Sequence, residues 1–89
     1  MNQSEITVYY MPYCPYCSWA QQLLDGKGVE YALVNVMDDE MIRQQMEDLS
    51  GRNTVPQIFI GDHHVGGFDD LSALDKNGEL DALLQSEPA

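Results

Sequence analysis

Basic residues are scarce in this chain. Lys27, Arg43, Arg52 and Lys76 stand against 15 Asp and Glu, for a formal charge of -11 and an isoelectric point near 4.1. That balance argues against a nucleic-acid backbone or an anionic membrane surface as partner. Long hydrophobic runs are missing as well: no stretch approaches the roughly 20 apolar residues of a membrane span. Nor is Met1 followed by the basic and then apolar run of a leader, so a cytoplasmic location is expected. Cysteine is limited to two residues three positions apart, which excludes the multi-bridge framework of a small secreted domain. In a reducing compartment such a pair is catalytic or metal-binding rather than a structural staple. There is no internal repeat, low-complexity segment or linker. With 89 residues and 44% hydrophobic content the chain can build one modest core, and residues 1–89 are expected to form one domain.

What is present is orderly. Ile6-Thr7-Val8-Tyr9-Tyr10 is rich in β-branched and aromatic residues and reads as a buried strand closed by Met11-Pro12. The pair Cys14-Pro15-Tyr16-Cys17 follows at once. Pro15 suits a first helical position, and Cys17, Ala20 and Leu24 give the helix one apolar stripe before Gly26 and Gly28 stop it. Glu30 to Val36 alternates as a second strand. Asp38-Asp39 then caps a second helix with Ile42, Met46 and Leu49 as its apolar positions and Gly51 as its end. Gln57-Ile58-Phe59-Ile60 is a third strand, Gly61-Asp62 a turn and His63-His64-Val65 a short returning strand. After Gly66-Gly67 the pattern fits one or two short helices, carrying Leu71 and Leu74, then Leu80, Leu83 and Leu84, before a polar Ser86-Glu87-Pro88-Ala89 tail. The order β-α-β-α-β-β-α predicts an α/β fold with a four-stranded mixed sheet flanked by helices. The strands joined by a helix should be parallel, and the hairpin antiparallel.

The cysteine spacing carries chemistry. Side chains three apart at a helix start lie on one face, with Cβ atoms roughly 5–6 Å apart. A small adjustment brings them to the roughly 3.5–4.5 Å of a disulfide. Free N–H groups and the positive end of the helix favour a thiolate on the first cysteine, so Cys14 is expected to be the nucleophile. Cys17, one turn deeper, suits the resolving role: its attack on a Cys14 mixed disulfide leaves a Cys14–Cys17 bridge. Two other readings compete. The pair could simply fill the core, as free cysteines often do. It could also be half of a zinc site, but zinc takes four ligands and only His63 and His64 remain, on opposite faces of a strand.

Taken together, Cys14-Pro15-Tyr16-Cys17, Thr54-Val55-Pro56 before a strand and Gly66-Gly67-Phe68-Asp69-Asp70 after the hairpin resemble a glutaredoxin, most nearly the small bacterial dithiol type. The resemblance spans roughly residues 5 to 85. It implies a thioredoxin-like fold and a glutathione-dependent thiol-disulfide oxidoreductase that acts on protein disulfides and glutathionylated proteins. In such a protein the Cys14 thiolate attacks the substrate, Cys17 resolves protein mixed disulfides, and glutathione, with no metal, regenerates the dithiol. The chain would act as a monomer. The resemblance also implies a cis bond before Pro56 that leaves the Val55 N–H and C=O outward, an edge where an extended thiol peptide pairs as a strand. It places Gly67, the Phe68 backbone and Asp69 at the γ-glutamyl end of glutathione, where Gly-Gly also admits a ligand to the backbone and the following helix start can receive a carboxylate. Tyr16 and Thr54 flank the tripeptide, and Arg43, with Arg52 as a second candidate, meets its glycyl carboxylate. For Asp69 the competing role is an ordinary helix cap, and for Arg43 a solvated surface charge. Tyr13 and Trp19 add apolar cover near the site, Tyr9, Tyr10 and Phe59 are expected in the core, and the histidines are simple strand residues.

The chain departs from the family in two places. Met11 stands where a lysine is common, so Cys14 must rely on the helix start for activation. Phe68 stands where several relatives carry a further cysteine. Two rivals share the motif. A glutaredoxin-shaped protein reduced by thioredoxin reductase is disfavoured by Gly66-Gly67 and Asp69. A module holding an iron–sulfur cluster through Cys14 and glutathione is disfavoured by the stiffening Pro15.

Overall fold

The computed structural model describes residues 5–85. The polar tail expected at 86–89 lies outside the described residues. The elements are β1 (Ile6–Tyr10), α1 (Pro15–Gly26), β2 (Ala32–Asn35), α2 (Glu40–Ser50), β3 (Gln57–Ile60), β4 (His63–Gly66), α3 (Phe68–Lys76) and α4 (Leu80–Leu84). The sequence pattern allowed one or two terminal helices, and there are two. Among the described residues no helix is long and apolar enough to cross a membrane.

The sheet order is β2-β1-β3-β4. β1 pairs parallel with β2 and antiparallel with β3, and β3 pairs antiparallel with β4. This topology assembles the site. Tyr9 lies opposite Gln57 and Ile58 opposite Gly66, so the end of β1, the start of β3 and the end of β4 reach the same end of the sheet. The segments there are the cysteine loop, Val55-Pro56 and Gly66-Gly67. Residues about 50 positions apart in the sequence become neighbours because antiparallel pairing reverses β3 between two strands of the opposite sense.

Alternation in the strands sorts side chains to two faces. Ile6, Val8, Ile58, Ile60 and Val65 point to one face, where they meet Ala20 and Leu24 of α1, Leu71 of α3, and Leu80 and Leu84 of α4. Tyr9 points to the other, with Val36 and with Met46 of α2, and Met11, Val34, Ile42, Val55 and Phe59 pack around them. The expected stripe Cys17, Ala20 and Leu24 is buried throughout. Tyr10 and Phe59 are half-buried against these clusters, and Tyr9 is buried.

Two expectations from periodicity need correction. Leu49, placed on the apolar face of α2, is 56% exposed: the packed part of that face is Ile42 and Met46, while Leu49 borders an open cleft over the sheet with Thr7, Tyr9, Phe59 and His64. The alternation at β2 gives no alternating burial: its four residues run from exposed to half-buried, as suits an edge strand. Asp39 caps α2 by accepting the Met41 N–H at 2.8 Å, and Gly51 ends it in the left-handed region at φ 71°.

Truncating the fully buried Leu71 to Ala should cost about 2–5 kcal/mol in urea unfolding. The same change at Leu49 should stay within about 0.5 kcal/mol, since it leaves no cavity.

Candidate active site

Cys14 is the N-cap of α1, in extended backbone at φ -109° and ψ 110°. Its sulfur accepts the Cys17 N–H at 3.2 Å, and its carbonyl accepts the Ser18 N–H at 3.1 Å. Pro15, which has no N–H to leave unpaired, occupies the first helical position. The result is a partly exposed sulfur at the positive end of a 12-residue helix, held by a backbone donor. Tyr13, just before it, takes the left-handed region at φ 62°, a conformation uncommon for a bulky side chain. It points fully into solvent and covers nothing, contrary to the apolar cover expected of it.

Cys17 is buried, at 1% exposure. Burial first, then its hydrogen bond to Cys14, push its thiol up to about 12; the Met11 backbone opposes them, and the Coulombic influence of Cys14 adds a smaller push upward. The two thiols are therefore unlike: one reaches solvent and one is enclosed and protonated at neutral pH. Met11 is half-buried against the Tyr9, Val36 and Met46 cluster, so the position without a cation serves packing.

The rest of the rim is built by contacts between elements. Tyr16 meets Trp19 edge-on at 5.1 Å between centroids, and Trp19 meets Phe68 at 5.9 Å, which ties the start of α1 to the start of α3. The Val55–Pro56 bond is cis. A Cβ placed on Gly67 would stand 3.6 Å from the Pro56 carbonyl oxygen, so these two segments lie against each other. Tyr16, Pro56, Gly67 and Phe68 are thus brought to one rim beside the cysteines.

Gly66 has a different reason to be glycine from the ligand approach expected of the Gly-Gly pair. Its φ is +115°, and an added Cβ would stand 2.9 Å from Asp70 Cγ and 3.1 Å from Arg52 Nη1. The space belongs to an internal ion pair. Arg52 Nη1 lies 3.1 Å from Asp70 Oδ2, and that same oxygen accepts the Gly67 N–H at 3.0 Å. Asp70, not Asp69, therefore holds the N-terminus of α3. Asp69 is exposed in the first turn, free of that duty. Arg43 pairs with Glu47 one turn along α2 at 3.5 Å. Thr54 is exposed on the loop, and Val55 is half-buried beside the Tyr9 cluster.

Sequence reading missed two features here. The Arg52–Asp70 pair spans 18 residues and has no local signal. Gln57 did leave one, as a polar residue opening an otherwise apolar strand: it is completely buried. The histidines are as expected, His63 exposed and His64 half-buried with its Nε2 on Gln57 rather than on the cysteines.

A model of the glutaredoxin family matches residues 6–65. The chain belongs to the glutaredoxin family. It is 44% identical over 81 residues to a glutaredoxin of Pseudomonas aeruginosa, covering 91% of this chain and 96% of the relative. It is 45% identical over 82 residues to glutaredoxin 3 of Escherichia coli strain K12, covering 92% and 99%. Among solved structures, the glutaredoxin of Brucella melitensis superposes with a TM-score of 0.86 at 44% identity, covering all of this chain and 97% of that one. A buckwheat glutaredoxin–glutathione complex superposes with a TM-score of 0.84 at 30% identity, covering 91% and 76%. The thioredoxin-like fold expected from the motifs is the fold these glutaredoxins share.

The difference between the two thiols should appear directly in alkylation. At neutral pH a mild alkylating agent should modify one thiol per native chain, at Cys14, and peptide mapping locates it; Cys17 should react only on unfolding.

Asp70 supplies a pH test. The Gly67 N–H first, then the Arg52 guanidinium, hold its carboxyl below the usual carboxylate range. A carboxyl depressed in the folded state stabilises above its unfolded pKa and loses that contribution as pH falls through the folded value. Asp70→Asn keeps an acceptor for Gly67 and removes the charge. It should therefore unfold at lower urea than wild type at neutral pH. The gap should begin to close near the ordinary carboxylate value of about 4 and vanish at more acid pH.

Proposed function

We propose that this glutathione-dependent thiol-disulfide oxidoreductase works through Cys14 as nucleophile and Cys17 as resolving thiol, with glutathione seated on the rim beside them. The observation that carries the assignment is the Cys14 sulfur at the helix N-cap, accepting the Cys17 N–H, while the Cys17 thiol is enclosed and held protonated.

On a glutathionylated protein, the Cys14 thiolate attacks the glutathionyl sulfur. The old disulfide breaks, the protein leaves as a thiolate that takes a proton, and a Cys14–glutathione disulfide remains. A second glutathione thiolate attacks that glutathionyl sulfur, forming oxidised glutathione and returning Cys14. On a protein disulfide, the first attack yields a Cys14–protein disulfide. Cys17 then loses its proton and attacks Cys14, releasing the reduced protein and forming the Cys14–Cys17 bridge. Two glutathiones reduce that bridge in turn.

The pKa causes explain the order of events. While Cys14 is free, its hydrogen bond and charge add to burial in keeping Cys17 protonated. Once Cys14 sulfur is in a mixed disulfide, that charge is gone and only burial opposes ionisation, so the resolving thiol becomes easier to deprotonate when it is needed.

Glutathione is placed along the rim: its cysteinyl backbone on the Val55 edge beside Thr54 and Pro56, and its γ-glutamyl end at Gly67, Phe68 and Asp69. The first-turn amides of α3 are not used within the helix, and Asp69 is left to meet an ammonium. Tyr16 flanks it, and Arg43 reaches its glycyl carboxylate only by leaving Glu47. The chain works as a monomer in the cytoplasm, on disulfide-containing or glutathionylated proteins.

Turnover coupled to glutathione and glutathione reductase tests the assignment. Cys14→Ser should fall to background with every substrate. Cys17→Ser should retain deglutathionylation and lose reduction of protein disulfides. Full activity in both variants would overturn the roles, and turnover with thioredoxin reductase but not glutathione would overturn the choice of reductant.

A further inference from the structure

Gln57 is the polar side chain that the core encloses completely among the described residues. Its Nε2 donates to the Thr54 carbonyl at 3.0 Å and to Thr54 Oγ1 at 3.1 Å. Its Oε1 lies 2.7 Å from His64 Nε2. These contacts fix the orientation of both side chains. A carbonyl oxygen can only accept, so the amide nitrogen of Gln57 must face Thr54 and its oxygen must face β4. His64 Nε2 must then carry a proton, whether the ring is neutral or charged. The ring is steadied by Phe59, at 4.9 Å between centroids and tilted by 31°. A hydrogen-bonded line thus runs from β4 through the start of β3 to the loop before Pro56.

An enclosed amide is costly unless its bonds are made, and an apolar side chain of similar size would fill the same volume without that demand. What the amide adds is direction. The Thr54 carbonyl and the Val55 N–H belong to one planar trans peptide unit, in which C=O and N–H point in opposite senses. Holding the carbonyl inward on Gln57 turns the Val55 N–H outward, toward the edge assigned above to the substrate backbone. We propose that Gln57 and His64 are positioning residues that aim the Val55 N–H at the bound glutathione or thiol peptide, Gln57 directly and His64 by fixing the Gln57 amide. This inference rests on the placement of glutathione on the Val55 edge.

The test is steady-state kinetics on a glutathionylated peptide with glutathione and glutathione reductase, in wild type, Gln57→Leu and His64→Phe. Leucine fills the core but cannot hold the Thr54 carbonyl; phenylalanine keeps the ring against Phe59 but cannot donate to Gln57. Gln57→Leu should raise KM by about tenfold, the loss of one aligned hydrogen bond in binding. Its kcat and its Cys14 alkylation rate should stay at wild-type values, because the interaction is made equally in the ground and transition states. His64→Phe should raise KM by about threefold, as the amide loses one of its restraints but keeps Thr54.

Unchanged KM in a cooperatively folded Gln57→Leu overturns the proposal. So does a fall in kcat and alkylation rate at constant KM, which would make the amide a support for the cysteines. If Gln57→Leu does not fold, His64→Phe decides: a raised KM at constant kcat supports the relay, and wild-type KM overturns it. Absence of glutathione-linked turnover in the wild type is a separate failure, of the reading beneath, and removes this inference with it.

Discussion

The hydrogen bond from the Cys17 N–H to the Cys14 sulfur is the constraint on which the rest of the site depends. It makes Cys14 a helix cap, so that its sulfur meets backbone groups that every helix leaves unsatisfied at its start. It also spaces the second thiol one turn deeper, where the packing of α1 against the sheet encloses it. Chemistry and fold are therefore coupled through one short element. The same burial of Cys17, Ala20 and Leu24 that docks the helix encloses one thiol and leaves the other partly exposed.

Around that cap the sheet topology gathers the rim. With β3 antiparallel to both of its neighbours, three chain segments end together: the cysteine loop, the Val55-Pro56 turn and the Gly66-Gly67 turn. Each turn is then held by polar contacts behind it rather than by the rim itself. Gln57 and His64 hold the first, while Asp70 with Arg52 holds the second.

These distinctions explain what was legible in the sequence. Strands β1 and β3, helix α1 and the stop at Gly51 were readable because β-branched runs, an apolar stripe and a glycine in the left-handed region are local signals. The cysteine pair was readable for the same reason. Leu49 reads as an apolar contact because periodicity locates a face but not how closely each residue on it packs: Leu49 borders an open cleft with Thr7, Tyr9 and Phe59. Asp70 was passed over for Asp69 because both acids sit in the first turn, but Asp70 stands at the third helical position after the Gly67 cap, from which a carboxylate reaches back to the cap amide. Gln57 needed its partners: a glutamine opening a strand is ambiguous until Thr54 and His64 are seen at its two ends.

Charge then sets how the ligand can be held. At a formal -11 the chain repels an anionic tripeptide at long range. Among the described residues Lys27 is paired with Asp75 and Asp81, Arg43 with Glu47, and Arg52 with Asp70. Recognition by a broad positive field is therefore closed to this protein, and at cellular ionic strength exposed charges act over only about 8 Å. What remains in the proposed glutathione site is short-range and directional: the Val55 N–H and the first-turn amides of α3. Cys14 follows the same rule, since Met11 brings packing rather than charge to its neighbourhood. Under the proposed roles, the Cys14 sulfur and glutathione are both held by backbone dipoles. Small errors in the direction of those dipoles cannot be made up by charge attraction, which is why residues that orient a peptide group matter here as much as residues that touch the ligand.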